Sequence, residues 1–169
     1  MATKTPPNYV EGHSLLEEKV VVVTAAAGTG IGSAVARRCI EEGATVIISD
    51  VHEKRLEDTC DALGQINGEA PLSIVCDVTK EEQVQNLFDK TIEEYGKIDV
   101  LVNNAGLGAQ SLLVEMDDEE WSRVIDVTLN GTMRCTRAAL KKLQAKNTGV
   151  IVNTASVLGW RAQTGQSHY

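Results

Sequence analysis

The sequence contains no long apolar run. The longest, residues 20–27, falls far short of the roughly 20 residues that a membrane-spanning helix needs, so no membrane segment is expected. The N-terminal stretch MATKTPPNYVEGHSLLEEK lacks the apolar centre of a signal peptide, which argues against a secretory leader. Clustered Lys and Arg are missing as well. The formal net charge is −8, which disfavours nucleic acid or an anionic membrane surface as a partner. A local basic pocket for a phosphorylated ligand is compatible with that balance. The four cysteines, Cys39, Cys60, Cys76 and Cys135, form no C-x-x-C pair and no zinc-type spacing. No metal site is therefore expected, and the cysteines read as reduced, buried thiols of a cytoplasmic protein. There is neither an internal repeat nor a low-complexity segment.

What is present is an ordinary globular composition, 43% hydrophobic and 24% charged, in a length of 169 residues that suits one domain with a real core. Pro6, Pro7 and Gly12 suggest a loosely ordered arm over residues 1–18, with the domain occupying 19–169. Within it, short apolar runs alternate with helix-patterned segments. KVVVVTA (19–25) is a continuous β-branched run, as expected of a strand buried on both faces. A helix follows, with Ile31, Val35 and Ile40 at near-helical spacing and Gly43 as its stop. Further strands are expected at ATVIIS (44–49), LSIVC (72–76), IDVLVN (98–103) and GVIVNTA (149–155). Helices are expected at 53–63, at 80–95 with Val84, Leu87, Phe88 and Ile92 as one stripe, and at 118–146. Gly96 marks the end of the 80–95 helix. This alternation predicts an α/β fold, a doubly wound parallel sheet with helices on both faces.

The first strand runs into TAAAGTGIG (24–32). At the carboxyl edge of such a sheet, small residues let a pyrophosphate approach the backbone and the N-terminus of the following helix. The glycines do not fit the G-x-G-x-x-G spacing, because Ser33 stands where the third would fall. No Lys-Ser or Lys-Thr follows, so a Walker loop is excluded too. Asp50 ends the second strand, 22 positions beyond Gly28, near the ~20 expected of a ribose-binding carboxylate. Its oxygens can accept from both ribose hydroxyls of NAD, whereas the 2′-phosphate of NADP would meet like charge.

Together these features resemble the short-chain dehydrogenase/reductase family, whose loop reads T-G-x-x-x-G-I-G. Here Thr24, Gly30 and Gly32 fit with one residue inserted, and Ala25 or Ala26 replaces the first glycine. NNAG (103–106) after the fourth strand, CDVT (76–79) after the third, and a serine followed thirteen positions later by a tyrosine complete the match in order. The resemblance implies a Rossmann-type sheet of which these are the first five of seven strands. It implies a cofactor site made of Thr24, Gly28, Thr29, Gly30, Ile31, Gly32, Asp50, Asp77, Val78, Asn104, Ala105 and Gly106. It also implies Tyr169 as acid/base and Ser156 as polarising donor. A free tyrosine, with its ordinary pKa near 10, is a poor base at neutral pH. The family supplies a lysine four residues beyond it, at position 173, so the chain is expected to be a C-terminally truncated piece. The family's relay asparagine is replaced by Thr128 in VTLNG (127–131), which makes Thr128 a substitute relay candidate.

Around the catalytic segment, His168 is expected at the surface or in packing, Trp160 as a cleft wall or core aromatic, and Arg161 as a contact for an acidic or CoA-linked substrate. VVVVTAAAGTGIG, SVLGWRAQ and QSHY look like an actinobacterial subgroup associated with steroid-ring catabolism. The implied activity is NAD(H)-dependent interconversion of a secondary alcohol and a ketone on a small molecule, with acyl-CoA-linked ring fragments as candidate substrates. A general 3-oxoacyl thioester reductase or secondary-alcohol dehydrogenase is the first alternative, and a non-catalytic dinucleotide-binding sensor or scaffold the second. The family's habit of pairing long helices implies a homodimer or homotetramer.

Overall fold

The computed structural model describes residues 8–143 and 148–169. Five strands, β1 (Val20–Val23), β2 (Thr45–Asp50), β3 (Leu72–Val75), β4 (Val100–Asn103) and β5 (Val150–Asn153), alternate with helices. The helices are α1 (Ile31–Glu41), α2 (Glu53–Asn67), α3 (Glu81–Tyr95), α4 (Asp118–Ile125) and α5 (Gly131–Leu143). All pairings are parallel, in the order β3-β2-β1-β4-β5. The chain steps outward from β1 to β3, then returns to lay β4 on the other flank of β1. That reversal opens a crevice at the carboxyl ends of β1 and β4, where open α/β sheets receive ligands. No helix among the described residues is long and apolar enough to cross a membrane.

The alternation of side chains along β1 assigns each valine to a layer. Val20 and Val22 share a cluster with Val84, Leu87 and Phe88 of α3 and with Cys135, Ala138 and Ala139 of α5. Val21 and Val23 join Ala36 and Ile40 of α1 and Leu56 and Leu63 of α2 on the other face. Each such side chain taken out of water contributes roughly 1.5–3 kcal/mol, so the four-valine run ties both helix layers to one strand. Burial pushes the Cys76 and Cys135 thiols up to about 12, which keeps both protonated and unreactive. α2 and α3 stop at Gly68 and Gly96, each with positive φ, as the glycine at Gly96 predicted. β5 is the least covered strand, with Val150 and Val152 about half exposed.

Two expectations are corrected. The segment 118–146 is not one uniform helix: a π-helical turn, residues 126–130, separates α4 from α5. Gly131 follows the bulge and packs so close to β3's exit that a Cβ would lie 2.6 Å from Val78 Cγ2. Positions 144–146 of the expected helix lie outside the described residues, as do 1–7 of the arm. The rest of the arm is not loose. Its backbone N–H groups at His13 and Leu15 donate to Glu42 Oε2 at 2.8 and 3.2 Å, and Tyr9 Oη donates to Glu41. Gly12 rests against α1, where a Cβ would meet the Glu41 carbonyl oxygen at 1.9 Å.

The His13 N–H, together with the Leu15 N–H and the Arg38 guanidinium, holds the Glu42 carboxyl below the usual carboxylate range. A depressed folded-state pKa stabilises above the unfolded value, near 4.3, and that contribution is lost as pH falls through the folded value. Glu42→Gln is therefore expected to lower stability at neutral pH and to converge with the wild type in acid. Urea unfolding at a series of pH values measures this, and parallel curves at every pH would contradict it.

Candidate active site

β1 ends at Val23, and the chain turns through residues 24–30 into α1. Ala25 takes φ +49, a left-handed conformation that disfavours any residue with a Cβ by about 1–2 kcal/mol. Of the two alanines that could stand for the family's first glycine, Ala25 is the one with positive φ, so it is the one that carries strain. Asn104 Nδ2 holds the turn in place by donating to Ala25 O and Thr24 O at 3.0 and 3.2 Å. Gly32 closes it from the helix side: a Cβ there would lie 2.3 Å from Ala25 O. In front of Gly28 and Gly30, by contrast, an added Cβ would meet nothing within 4 Å. No side chain caps the N-terminus of α1, where Thr29, Gly30 and Ile31 are exposed. The Gly28 N–H is held by Thr59 Oγ1 at 2.8 Å, and the N–H groups of Thr29, Gly30 and Ile31 form an open cradle at a positive helix end, which fits a diphosphate.

Thr24 turns its hydroxyl inward. It is buried, and its hydroxyl accepts from the Asn104 and Ala105 N–H groups at 3.0 Å each while donating to Val102 O at 3.4 Å. The hydroxyl joins the loop to the chain leaving β4 instead of facing a ligand. Asn103, the first residue of NNAG, and Asn153, to which the sequence assigns no role, sit opposite one another at the ends of β4 and β5. Asn103 Nδ2 donates to Asn153 Oδ1 at 2.9 Å and to Thr136 Oγ1 at 3.0 Å. The signal available was the shared V-N ending of the two strands.

Asp50 is buried at the tip of β2, where Oδ2 accepts from Ala27 N–H at 3.2 Å and Oδ1 from His52 N–H at 3.0 Å. A carboxylate has about four acceptor sites, so both oxygens retain capacity for a ribose beside the glycine loop. Asp77 uses Oδ1 on the N–H and hydroxyl of Thr79, at 2.9 and 2.8 Å, to shape the turn into α3. Val78 is core, which leaves its backbone as the part available to a ligand, and Gly106 is exposed. A cleft of about 860 Å³ touches the loop at Gly28 and Thr29 and runs between α1 and α2 past Arg37 and Arg55. Neither Asp50 nor Asn104 lines it, so it flanks the crevice.

Ser156 caps the short 3-10 turn Val157–Gly159, its Oγ accepting from Leu158 N–H at 3.1 Å. That bond uses a lone pair and leaves the hydroxyl proton free to donate. Tyr169 is 44% exposed and lines a cavity of about 490 Å³ together with Leu158, Trp160 and Arg161. No hydrogen bond joins Ser156 to Tyr169 among the described residues; the cavity wall at Leu158 is what they share. Trp160 is 92% exposed, so it is a wall of this cavity and not a core aromatic. Thr128 Oγ1 accepts from Leu107 N–H at 3.1 Å and donates to Leu107 O at 3.3 Å, which engages its only proton and leaves one lone pair. His168 is buried and stacks on Trp121, so of its two expected places it has packing and not the surface.

The sequence profile of the short chain dehydrogenases matches residues 19–169. The chain is 55% identical to a (5R,7aS)-5-hydroxy-7a-methyl-1-oxo-2,3,5,6,7,7a-hexahydro-1H-indene-carboxyl-CoA reductase of Mycobacterium tuberculosis, with 100% of this chain and 65% of the relative aligned. It is 38% identical to a 3-oxoacyl-[acyl-carrier-protein] reductase FabG of Thermotoga maritima, over 91% of this chain and 62% of that one. Among solved structures, a short chain dehydrogenase from Mycobacterium smegmatis superposes with a TM-score of 0.94 at 57% identity, over 98% of this chain and 69% of that chain. An NAD+-bound xylitol dehydrogenase gives 0.87 at 34% identity, over 92% and 59%. The chain belongs to the short chain dehydrogenase family, and it spans just under two thirds of the length of these curated relatives.

Removing the Thr24 hydroxyl strands two backbone N–H groups in a buried place. Thr24→Val is expected to destabilise the protein by about 1–3 kcal/mol, and Thr24→Ser to recover most of the loss. Denaturant midpoints of the three proteins decide it; equal stability of the valine variant would show that the two N–H groups find other partners.

Proposed function

We propose that this member of the short chain dehydrogenase family interconverts a secondary alcohol and a ketone on a ring-bearing acyl-CoA, with NAD(H) as cofactor. The observation that carries the reading is the cavity at Tyr169, in which a solvent-accessible phenol, an exposed indole and a guanidinium meet. Trp160 offers an apolar wall to a ring, and Arg161 offers a cation to the anionic part of a CoA thioester; no carboxylate of the described residues lies within ion-pair distance of Arg161. The name of the Mycobacterium tuberculosis relative, a CoA-linked bicyclic reductase, supports the same substrate class.

In this reading the residues divide the work by position. The N–H groups of Thr29, Gly30 and Ile31 receive the diphosphate, with Gly28 leaving room beside them, Asp50 accepts from the adenosine ribose, and Asp77 and the Val78 backbone meet the adenine. Ala105 and Gly106 border the same groove. When bound, the nicotinamide supplies a hydride donor or acceptor. Ser156 donates to the substrate oxygen, and Tyr169 gives or takes the proton at that oxygen. Thr128 acts through Leu107, holding the segment beyond NNAG at a fixed distance from the helix. The buried, protonated thiols suit a reducing cytoplasm. The partner for the apolar stripe of Leu129, Met133 and Leu140 is a second copy of the chain in a homodimer or homotetramer.

Two observations favour neighbouring readings. The 38% identity to a 3-oxoacyl carrier-protein reductase favours a general 3-oxoacyl thioester reductase. Arg37 and Arg55 in the cleft beside Gly28 and Thr29 favour a 2′-phosphate and thus NADP. Arg37 is already paired with Glu41 at 2.9 Å and covers the Tyr9 ring, which weakens that case.

Like charge at ~4 Å costs up to about 4 kcal/mol before salt screening, so Asp50 is expected to make full-length protein prefer NAD to NADP. Asp50→Ser should narrow the gap between the two catalytic efficiencies; a wild type that uses NADP equally well overturns the preference. Ser156→Ala is expected to bind NAD as the wild type does while turnover falls about 10²–10³-fold. Cofactor titration paired with steady-state rates on CoA-linked and free cyclic alcohols tests both the enzyme reading and its substrate class. Unchanged turnover in Ser156→Ala would make that serine structural.

A further inference from the structure

The last turn before Tyr169 is irregular, yet it is tightly referenced to the chain beyond β4. Ser111 N–H donates to Gly165 O at 3.0 Å, Gln166 Nε2 donates to Ala109 O at 2.8 Å, and Tyr169 N–H donates to Gln166 O at 3.1 Å. Gly165, with φ +77, allows the bend; a Cβ there would meet Gln110 Cγ at 2.9 Å. Ser167 and Tyr169 face outward, and His168 between them turns inward, its side chain 0% exposed. It stacks on Trp121 at a centroid distance of 6.4 Å and an interplanar angle of 21°.

An apolar ring would fill this hole without penalty. Histidine leaves two buried ring nitrogens with no hydrogen-bond partner, an arrangement that normally costs about 1–3 kcal/mol. What distinguishes the place is the carboxylate it faces: Nε2 lies 3.4 Å from Glu120 Oε1. Glu120 is itself fixed in the first turn of α4, its N–H held by Asp117 Oδ1 at 2.7 Å. The two atoms face each other just outside ordinary hydrogen-bond distance. A rigid helix N-terminus thereby holds the residue immediately before the phenol.

We propose that His168 is a positioning residue: its pairing with Glu120 and its stacking on Trp121 anchor the 165–169 segment to α4 and so set where the Tyr169 phenol stands. The inference rests on the reading of Tyr169 as acid/base. It predicts that the pair governs the chemical step and not cofactor binding. In full-length protein, His168→Phe, which keeps the burial and the stacking, should leave NAD affinity and KM for NAD unchanged. It should lower kcat on the order of tenfold to a hundredfold, the scale of an ångström-sized misplacement. His168→Gln, which keeps a donor, should recover part of kcat. Glu120→Gln should lower kcat as well, and adding His168→Phe to it should cost nothing more.

A His168→Phe enzyme with wild-type kcat overturns the inference, as do independent, multiplying losses from the two sites. If His168→Phe fails to fold, Glu120→Gln decides from the half-exposed side of the pair, since wild-type kcat there removes the anchor. Tyr169→Phe separates the two levels: an active Tyr169→Phe enzyme sinks the acid/base reading itself. An inactive one beside a fully active His168→Phe enzyme sinks only the anchor.

Discussion

One hydroxyl stands at the point where the sheet reverses direction. Thr24 leaves β1 and receives the first two N–H groups beyond β4, joining the ends of the two paired strands whose outgoing chains bound the crevice. Without that link, each strand end would carry a free loop, and the glycine turn would have no fixed distance to the segment facing it. Asn104 repeats the link in the other direction by donating to Thr24 O and Ala25 O. The Thr24 hydroxyl and the Asn104 amide are satisfied within this link, so the N–H groups of Thr29, Gly30 and Ile31 outside it are left open. Preorganisation of that kind is what a diphosphate site needs, because the N–H groups cannot be allowed to pair elsewhere.

The same economy of space governs the alanine in the turn. Ala25 accepts a left-handed backbone because the Asn104 amide, the Gly32 contact and the strand pairing over-determine its position. Strain of about 1–2 kcal/mol is small beside the burial that surrounds it. Gly32 has no such freedom, since its missing Cβ is the space occupied by Ala25 O. The two positions look alike in the sequence, as small residues in one loop, and differ wholly in what the fold demands of them.

This difference marks the limit of what was legible. Strand positions, sheet class and the place of the crevice follow from four consecutive valines, glycine stops and short apolar runs, because burial on two faces leaves few alternatives. Direction of side chains does not follow. Thr24, placed in the cofactor site by resemblance, and Thr128, a substitute relay candidate, both turn their hydroxyls onto backbone. His168 was left open between surface and packing, because its burial is decided by Trp121, 47 positions earlier in the chain. Residues 8–18 read as loose because Pro and Gly say nothing of the Glu42 carboxylate that receives them. Long-range polar contacts of this type have no period and no local signature.

The π-helical turn shows how such contacts combine. Thr128, on the bulge, holds Leu107 of the segment beyond β4. Two residues at its edges serve the other rim: Gly131 packs on Val78, and Arg134 donates to Val78 O at 3.4 Å while pairing with Asp126 at 2.7 Å. The Arg134 guanidinium, with the Asn130 amide, holds the Asp126 carboxyl below the usual carboxylate range, so the pair stays charged at neutral pH. One irregular turn thus grips the chain leaving β3 and the chain leaving β4 at once. A regular α-helical path would rotate the residues after the bulge by about 100° for each position gained or lost. Gly131 and Thr128 could not then both keep their partners. The extra residue in the turn, which propensity alone would never call for, is what lets a single helix brace both walls of the crevice.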